Sequence, residues 1–166
     1  PETRGQVVFL PREGLEVSMW CREENPRALY HNPNDPVHTD SCMEAFLNCF
    51  PEDPAFGYVG LEMNANGASH CSFGTSRHTR GYVVARGLPH PEVAADRILL
   101  EGASWWRVTC LLRQTLLEAL YERDCGISAE PVRNGYGLDS AVSRGFAEHV
   151  EKGKGARQRR VKPSAD

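Results

Sequence analysis

Nowhere is the chain apolar for long enough to cross a bilayer as a helix, which takes about 20 residues, so no membrane span is read from it. Glycine-rich phosphate loops, a G-x-S-x-G nucleophile turn and CxxC pairs are also missing. Their absence argues against nucleotide binding, α/β-hydrolase chemistry, zinc ribbons and dithiol redox centres. Nor is positive charge in excess: 19 Lys and Arg stand against 22 Asp and Glu, a formal net charge of -3. A nucleic-acid partner would call for a basic balance, and none is expected. No basic, then apolar, leader opens the chain at PETRGQVVFL. A cytoplasmic setting is therefore the expectation, with an extracellular one open if the start is trimmed.

What is present fits a folded domain. The chain has 166 residues, 40% hydrophobic and 25% charged, enough to bury a sizeable core and close to the globular average. Its charge is uneven. Residues 144–166 hold seven basic residues against three acidic ones, leaving twelve against nineteen in the body. The end KGKGARQRRVK reads as a solvated tail, and the organisation as a body over 1–130 followed by an atypical, poorly ordered segment over 131–166. Six cysteines, at 21, 42, 49, 71, 110 and 125, fall mostly in apolar runs and read as reduced core residues.

Alternation with a period of two marks the strands. In LEVSMWCR (15–22), Leu15, Val17, Met19 and Cys21 share one face. Three prolines interspersed with Asn and Asp make 23–41 a long, turn-rich loop. CMEAFLNCF (42–50) turns Met43, Ala45, Leu47 and Cys49 to one side and Cys42, Glu44, Phe46 and Asn48 to the other; YVGLEMNA (58–65) does the same with Val59, Leu61, Met63 and Ala65. The short link between them predicts an antiparallel hairpin. Asn66-Gly67 signals a turn into a strand over 69–74, and 81–87 and 104–112 are further strands. Helical spacing appears once, in LLRQTLLEALYER (111–123). Many short strands and one short helix predict an all-β antiparallel sandwich.

Several residues could carry chemistry. Glu44 and Glu62 lie on the polar faces of adjacent strands and can be cross-strand neighbours. Two facing carboxylates serve glycoside hydrolysis, or accept hydrogen bonds from sugar hydroxyls, or simply solvate a sheet. His31, His38 and Asp40 share one loop and could ligate a metal, although turn loops favour such residues for conformational reasons. Arg77, His78 and Arg80 form a basic cluster suited to hydroxyl or carboxylate recognition. Trp20, Trp105 and Trp106 could stack on sugar rings; neighbours on a strand point oppositely, so at most one of the last two is exposed.

The order of these segments resembles the carbohydrate-binding modules of family 9, in particular bacterial single-domain proteins of that type. The similarity rests on Asp40, Ser41, Cys42 and Glu44 in the first strand of the hairpin and on Tyr58, Glu62 and Asn64 in the second. The Asn66-Gly67 turn and the Gly74–Arg77–Arg80 end continue it. It covers roughly residues 10–125. It implies a non-catalytic β-sandwich that binds plant-type oligosaccharides or polysaccharides, such as xylan or cellulose fragments, and accompanies glycoside hydrolases in carbohydrate catabolism. Glu44 matches a ligand-binding carboxylate of the family. His38 occupies the place of its stacking aromatic, six residues earlier, with less apolar area than an indole. Residues 131–166 do not resemble the family's closing segment. Some members carry structural calcium, which the resemblance allows here; no other cofactor is implied. The expected binding residues are His38, Glu44, Glu62, Asn64 and Arg77. A small hydrolase using Glu44 and Glu62, or a sandwich serving only protein interaction, are the alternatives.

Overall fold

The computed structural model describes residues 1–51 and 55–125, without the side chains of 123–125. One four-stranded antiparallel sheet contains β1 (Glu2–Leu10), β2 (Gly14–Arg22), β7 (Val93–Leu100) and β8 (Ala103–Arg113), in the order β1-β2-β8-β7. The other contains β3 (Cys42–Leu47), β4 (Tyr58–Asn64), β5 (Ser69–Gly74) and β6 (Gly81–Tyr82) in chain order. The predicted all-β sandwich is the fold observed, with a single helix α1 (Gln114–Cys125) among the described residues. That helix is too short to cross a membrane, and no described helix is long and apolar enough to do so.

The alternating apolar residues explain why the sheets pack. Leu15, Val17, Met19 and Cys21 of β2 and Trp106, Val108, Cys110 and Leu112 of β8 form one wall of the core; Met43 of β3, Val59, Leu61 and Met63 of β4, and Cys71 and Phe73 of β5 form the other. Burying each such side chain contributes about 1.5–3 kcal/mol. The five described cysteines are free and buried. Burial pushes the thiols of Cys71 and Cys110 up to about 12 and that of Cys21 to about 11, so they pack as small apolar groups.

Helix α1 completes the core with Leu116, Leu117, Leu120 and Tyr121. It begins later than the spacing predicts. Leu111, Leu112 and Arg113 stay in the ladder opposite Glu16, Leu15 and Gly14, and only then does the chain coil. The strand expected over 81–87 also shortens. After Tyr82 the chain makes a 3-10 turn, Val83–Arg86, ended by Gly87 at φ 72°. Val83 is thereby buried in the core, and Arg86 Nη2 donates to the Phe73 carbonyl at 2.8 Å.

The strands β1 and β7 have no clear signature in the sequence. Both are sheet edges, and most of their residues are exposed or only half-buried. Edge strands need little apolar alternation. A tight turn at Glu101 and Gly102, both at positive φ, joins β7 to β8 and matches the twist of the hairpin. The segment expected as a basic tail, 131–166, lies outside the described residues.

Candidate functional site

The same alternation that builds the core presents a second set of side chains on the outer face of the β3-β4-β5-β6 sheet. Glu44 stands opposite Glu62, and Glu62 opposite His70, making one row across three strands. The next row runs Phe46, Gly60, Ser72, Tyr82 across all four strands. Phe46 and Tyr82 are 51% and 44% exposed, whereas the other aromatics among the described residues are buried or half-buried.

Charge is arranged closely on this face. His70 Nδ1 lies 3.6 Å from Glu62 Oε2, its ring lies 4.3 Å from that of Tyr82, and its Nε2 is buried with no hydrogen-bond partner among the described residues. Arg80 reaches back from the turn after β5. Its guanidinium lies 4.9 Å from the Phe46 ring and 5.3 Å from the Tyr58 ring, a cation between two π faces. Its Nε and Nη1 are buried and likewise unpartnered. Only glycine at position 60 permits this, because a Cβ there would overlap the Arg80 guanidinium.

Glu44 is half-buried, and its pKa lies above the ordinary 4.5. Burial is the main cause and the facing Glu62 the next; Arg80, His38 and Arg77 pull the other way. A carboxyl with a raised folded-state pKa stabilises the fold when protonated, below about pH 4.5, and loses that contribution as pH rises through its folded value. Glu44→Gln should therefore melt a few degrees above the native protein at pH 7, with the gap closing towards pH 4. Thermal melts at the two pH values read it directly; an equal gap at both would contradict the assignment.

His38, Glu44, Glu62 and Arg77 thus share one region. His38 sits exposed in a 3-10 turn, Val37–Thr39, and both it and Arg77 act electrostatically on Glu44. Asn64 is different. It follows Glu62 on the same face, yet it is fully buried. Its Nδ2 donates to the Tyr30 carbonyl at 3.0 Å and to Asp40 Oδ2 at 2.9 Å, and its Oδ1 accepts from the backbone of Asn66 and Ala68. Every polar atom of this amide is used in holding the loop, so the expected ligand contact from Asn64 is not available in this arrangement.

The loop residues do not assemble a metal centre. Asp40 Oδ2 is taken by the N–H groups of Leu29 and Tyr30 and by Asn64, while His38 is exposed. Among the described residues no three His, Cys, Asp or Glu side chains group closely enough to hold an ion. Trp105 and Trp106 point to opposite faces as expected, yet both are buried, so neither offers a stacking surface. Trp106 faces the core and donates from Nε1 to Glu23 at 3.1 Å; Trp105 is on the outer face, with the Arg4 guanidinium 4.7 Å from its ring.

Of this face, His70 and Tyr82 are not among the residues that the sequence singles out, whereas Arg80 is, within the basic cluster of Arg77, His78 and Arg80. The hairpin register would have placed His70 beside Glu62. Nothing in the sequence indicates that Arg80 folds back over Gly60.

No protein-family model matches the chain, and no curated protein does. Among solved structures, a candidate carbohydrate-binding protein from Bacteroides uniformis resembles it, with a TM-score of 0.52 and 19% sequence identity. The match covers 72% of this chain and 55% of that one, so this chain spans little more than half of its neighbour's length. At that identity the likeness is one of fold: the chain is a β-sandwich similar to that of a candidate carbohydrate-binding protein.

Proposed function

We propose that this protein binds carbohydrate, without catalysis, on the outer face of its β3-β4-β5-β6 sheet. The observation that carries the reading is the pairing of Glu44 with Glu62 in the row next to the one that holds the Arg80 guanidinium and ends in the exposed rings of Phe46 and Tyr82. A pyranose has an apolar face and an edge of hydroxyls. Aromatic rings cover the first, and carboxylates and guanidinium groups hydrogen-bond the second. The fold likeness to a candidate carbohydrate-binding protein supports the same reading.

In this proposal Glu44 and Glu62 accept from hydroxyls, Arg77 and Arg80 donate, and His38 flanks the site as a secondary surface. The ligands are fragments of plant-type polysaccharides such as xylan or cellulose, the family 9 type of recognition, and the domain works beside glycoside hydrolases in carbohydrate catabolism.

Isothermal titration with xylo-oligosaccharides and cello-oligosaccharides tests it. Binding heat should appear with the native protein and weaken at least tenfold in Glu44→Ala, since a hydrogen bond to a charged group is worth about 1.5–3 kcal/mol. A flat trace from folded protein would overturn the proposal. The direct opposition of Glu44 and Glu62 also suits a hydrolase. Release of an aryl leaving group, abolished in Glu44→Gln, would establish that second reading instead.

A further inference from the structure

Resting on that reading, the geometry points to a ligand lying across the strands, with Tyr82 setting how many sugar units are recognised. Phe46 and Tyr82 are the two ends of one cross-strand row, on the first and last strands of the sheet, with only Gly60 and Ser72 between them. Three interstrand spacings of about 4.8 Å separate those strands, so the row spans about 14 Å, the length of a di- to trisaccharide. The two central positions are small, and the Arg80 guanidinium takes the space above Gly60, so a polar middle lies between two aromatic ends.

The polar groups cluster in that middle. The Arg80 guanidinium lies over Gly60, the Ser72 hydroxyl donates to the Gly60 carbonyl at 3.5 Å and keeps its lone pairs as acceptors, and Glu62 borders the row from the adjacent one. Both aromatic ends are braced: Tyr58 meets Phe46 edge-on at 6.1 Å with the Arg80 guanidinium 4.9 Å from the same ring, and His70 lies against Tyr82 at 4.3 Å. Ring faces at both ends and hydrogen-bonding groups between them suit a short run of pyranoses whose terminal units stack. A long chain running parallel to the strands would meet only one of the two rings. Beyond Tyr82 the sheet stops, because β6 is two residues long and no strand pairs with its far side among the described residues.

The test is a length series of β-linked xylo-oligosaccharides, from monosaccharide to hexasaccharide, titrated into the native protein, Tyr82→Ala and Phe46→Ala. Affinity should climb to the trisaccharide and then level. Tyr82→Ala should cut trisaccharide affinity about tenfold while leaving the monosaccharide within twofold, as expected for one lost ring contact. Phe46→Ala should shorten the climb in the same way from the other end, and circular dichroism confirms that each variant folds. Affinity still rising between trisaccharide and hexasaccharide would overturn the transverse placement. So would an unchanged trisaccharide affinity in folded Tyr82→Ala; in either case sugar binding itself would stand. Absence of any saccharide binding would overturn the carbohydrate reading and this inference together.

Discussion

Tyr121→Ala is expected to lower the free energy of unfolding by about 4 kcal/mol, near the upper end of core truncations. Tyr121 is fully buried at the junction of helix α1 and both sheets. Its ring meets Phe50 at 4.8 Å and Phe73 at 5.0 Å, both edge-on, an arrangement favoured by the aromatic quadrupole. Its hydroxyl accepts from the Cys49 N–H at 3.1 Å and donates to the Gly57 carbonyl at 3.4 Å. Truncation would leave a cavity and, in addition, a buried N–H with no partner. Domains of this kind are stable by about 5–15 kcal/mol, so the variant would be close to unfolding at body temperature. Urea titration should show a lower midpoint with unchanged slope. Tyr121→Phe keeps the ring and should cost only about 1–2 kcal/mol, the share of the hydroxyl. A loss below about 1 kcal/mol for the alanine variant would mean that the helix does not anchor the core as described.

Asp40→Ala should be nearly as damaging, at about 3 kcal/mol, for a different reason. The carboxylate side chain is wholly buried. Its Oδ2 accepts from the Leu29 N–H at 2.9 Å, the Tyr30 N–H at 3.1 Å and Asn64 Nδ2 at 2.9 Å, and Arg27 Nε lies 3.6 Å from Oδ1. Alanine would strand three donors in a protein interior. Asparagine can set its amide oxygen where Oδ2 stands and keep all three accepted bonds, so Asp40→Asn should lose much less, chiefly the charge that faces Arg27. The loop it pins carries His38 to the edge of the proposed site, so sugar affinity should fall along with stability. Limited trypsin digestion would show it: cleavage after the exposed Arg27 should accelerate in Asp40→Ala. Equal digestion rates would show that the loop is held by other contacts.

How much of the fold is legible follows from burial. The strands β2, β3, β4 and β5 were readable because each has one face in the core and one outside, which imposes a period of two on the sequence. The strands β1 and β7 were not, because none of their residues is fully buried, unlike those of the edge strand β3, and so nothing imposes the period. Helix α1 was found, but with its first turn placed too early, because Leu111 and Leu112 satisfy a helical stripe and a strand face equally well. Length and apolar spacing cannot separate those states; the ladder to β2 does.

The site divides along the same line. Alternation within two strands and the short link between them determine that Glu44 and Glu62 share a face and face each other, since a pleated strand leaves no other choice. For Asn64 the same rule chose the correct face, but it could not foresee that the 27–40 loop folds over that end of the sheet and consumes its amide. Trp105 lies on an outer face and is still buried, with Arg4 of β1 against its ring. Arg80 and Tyr82 join the site only through long-range packing, one by folding back over a glycine, the other by closing the sheet. By itself the sequence determined the two-sheet pattern, the composition of the core and the carboxylate pair, all of which follow from local periodicity. The tertiary structure alone decided which polar side chains stay open to a ligand, because that depends on what distant segments cover, and periodicity carries no record of it.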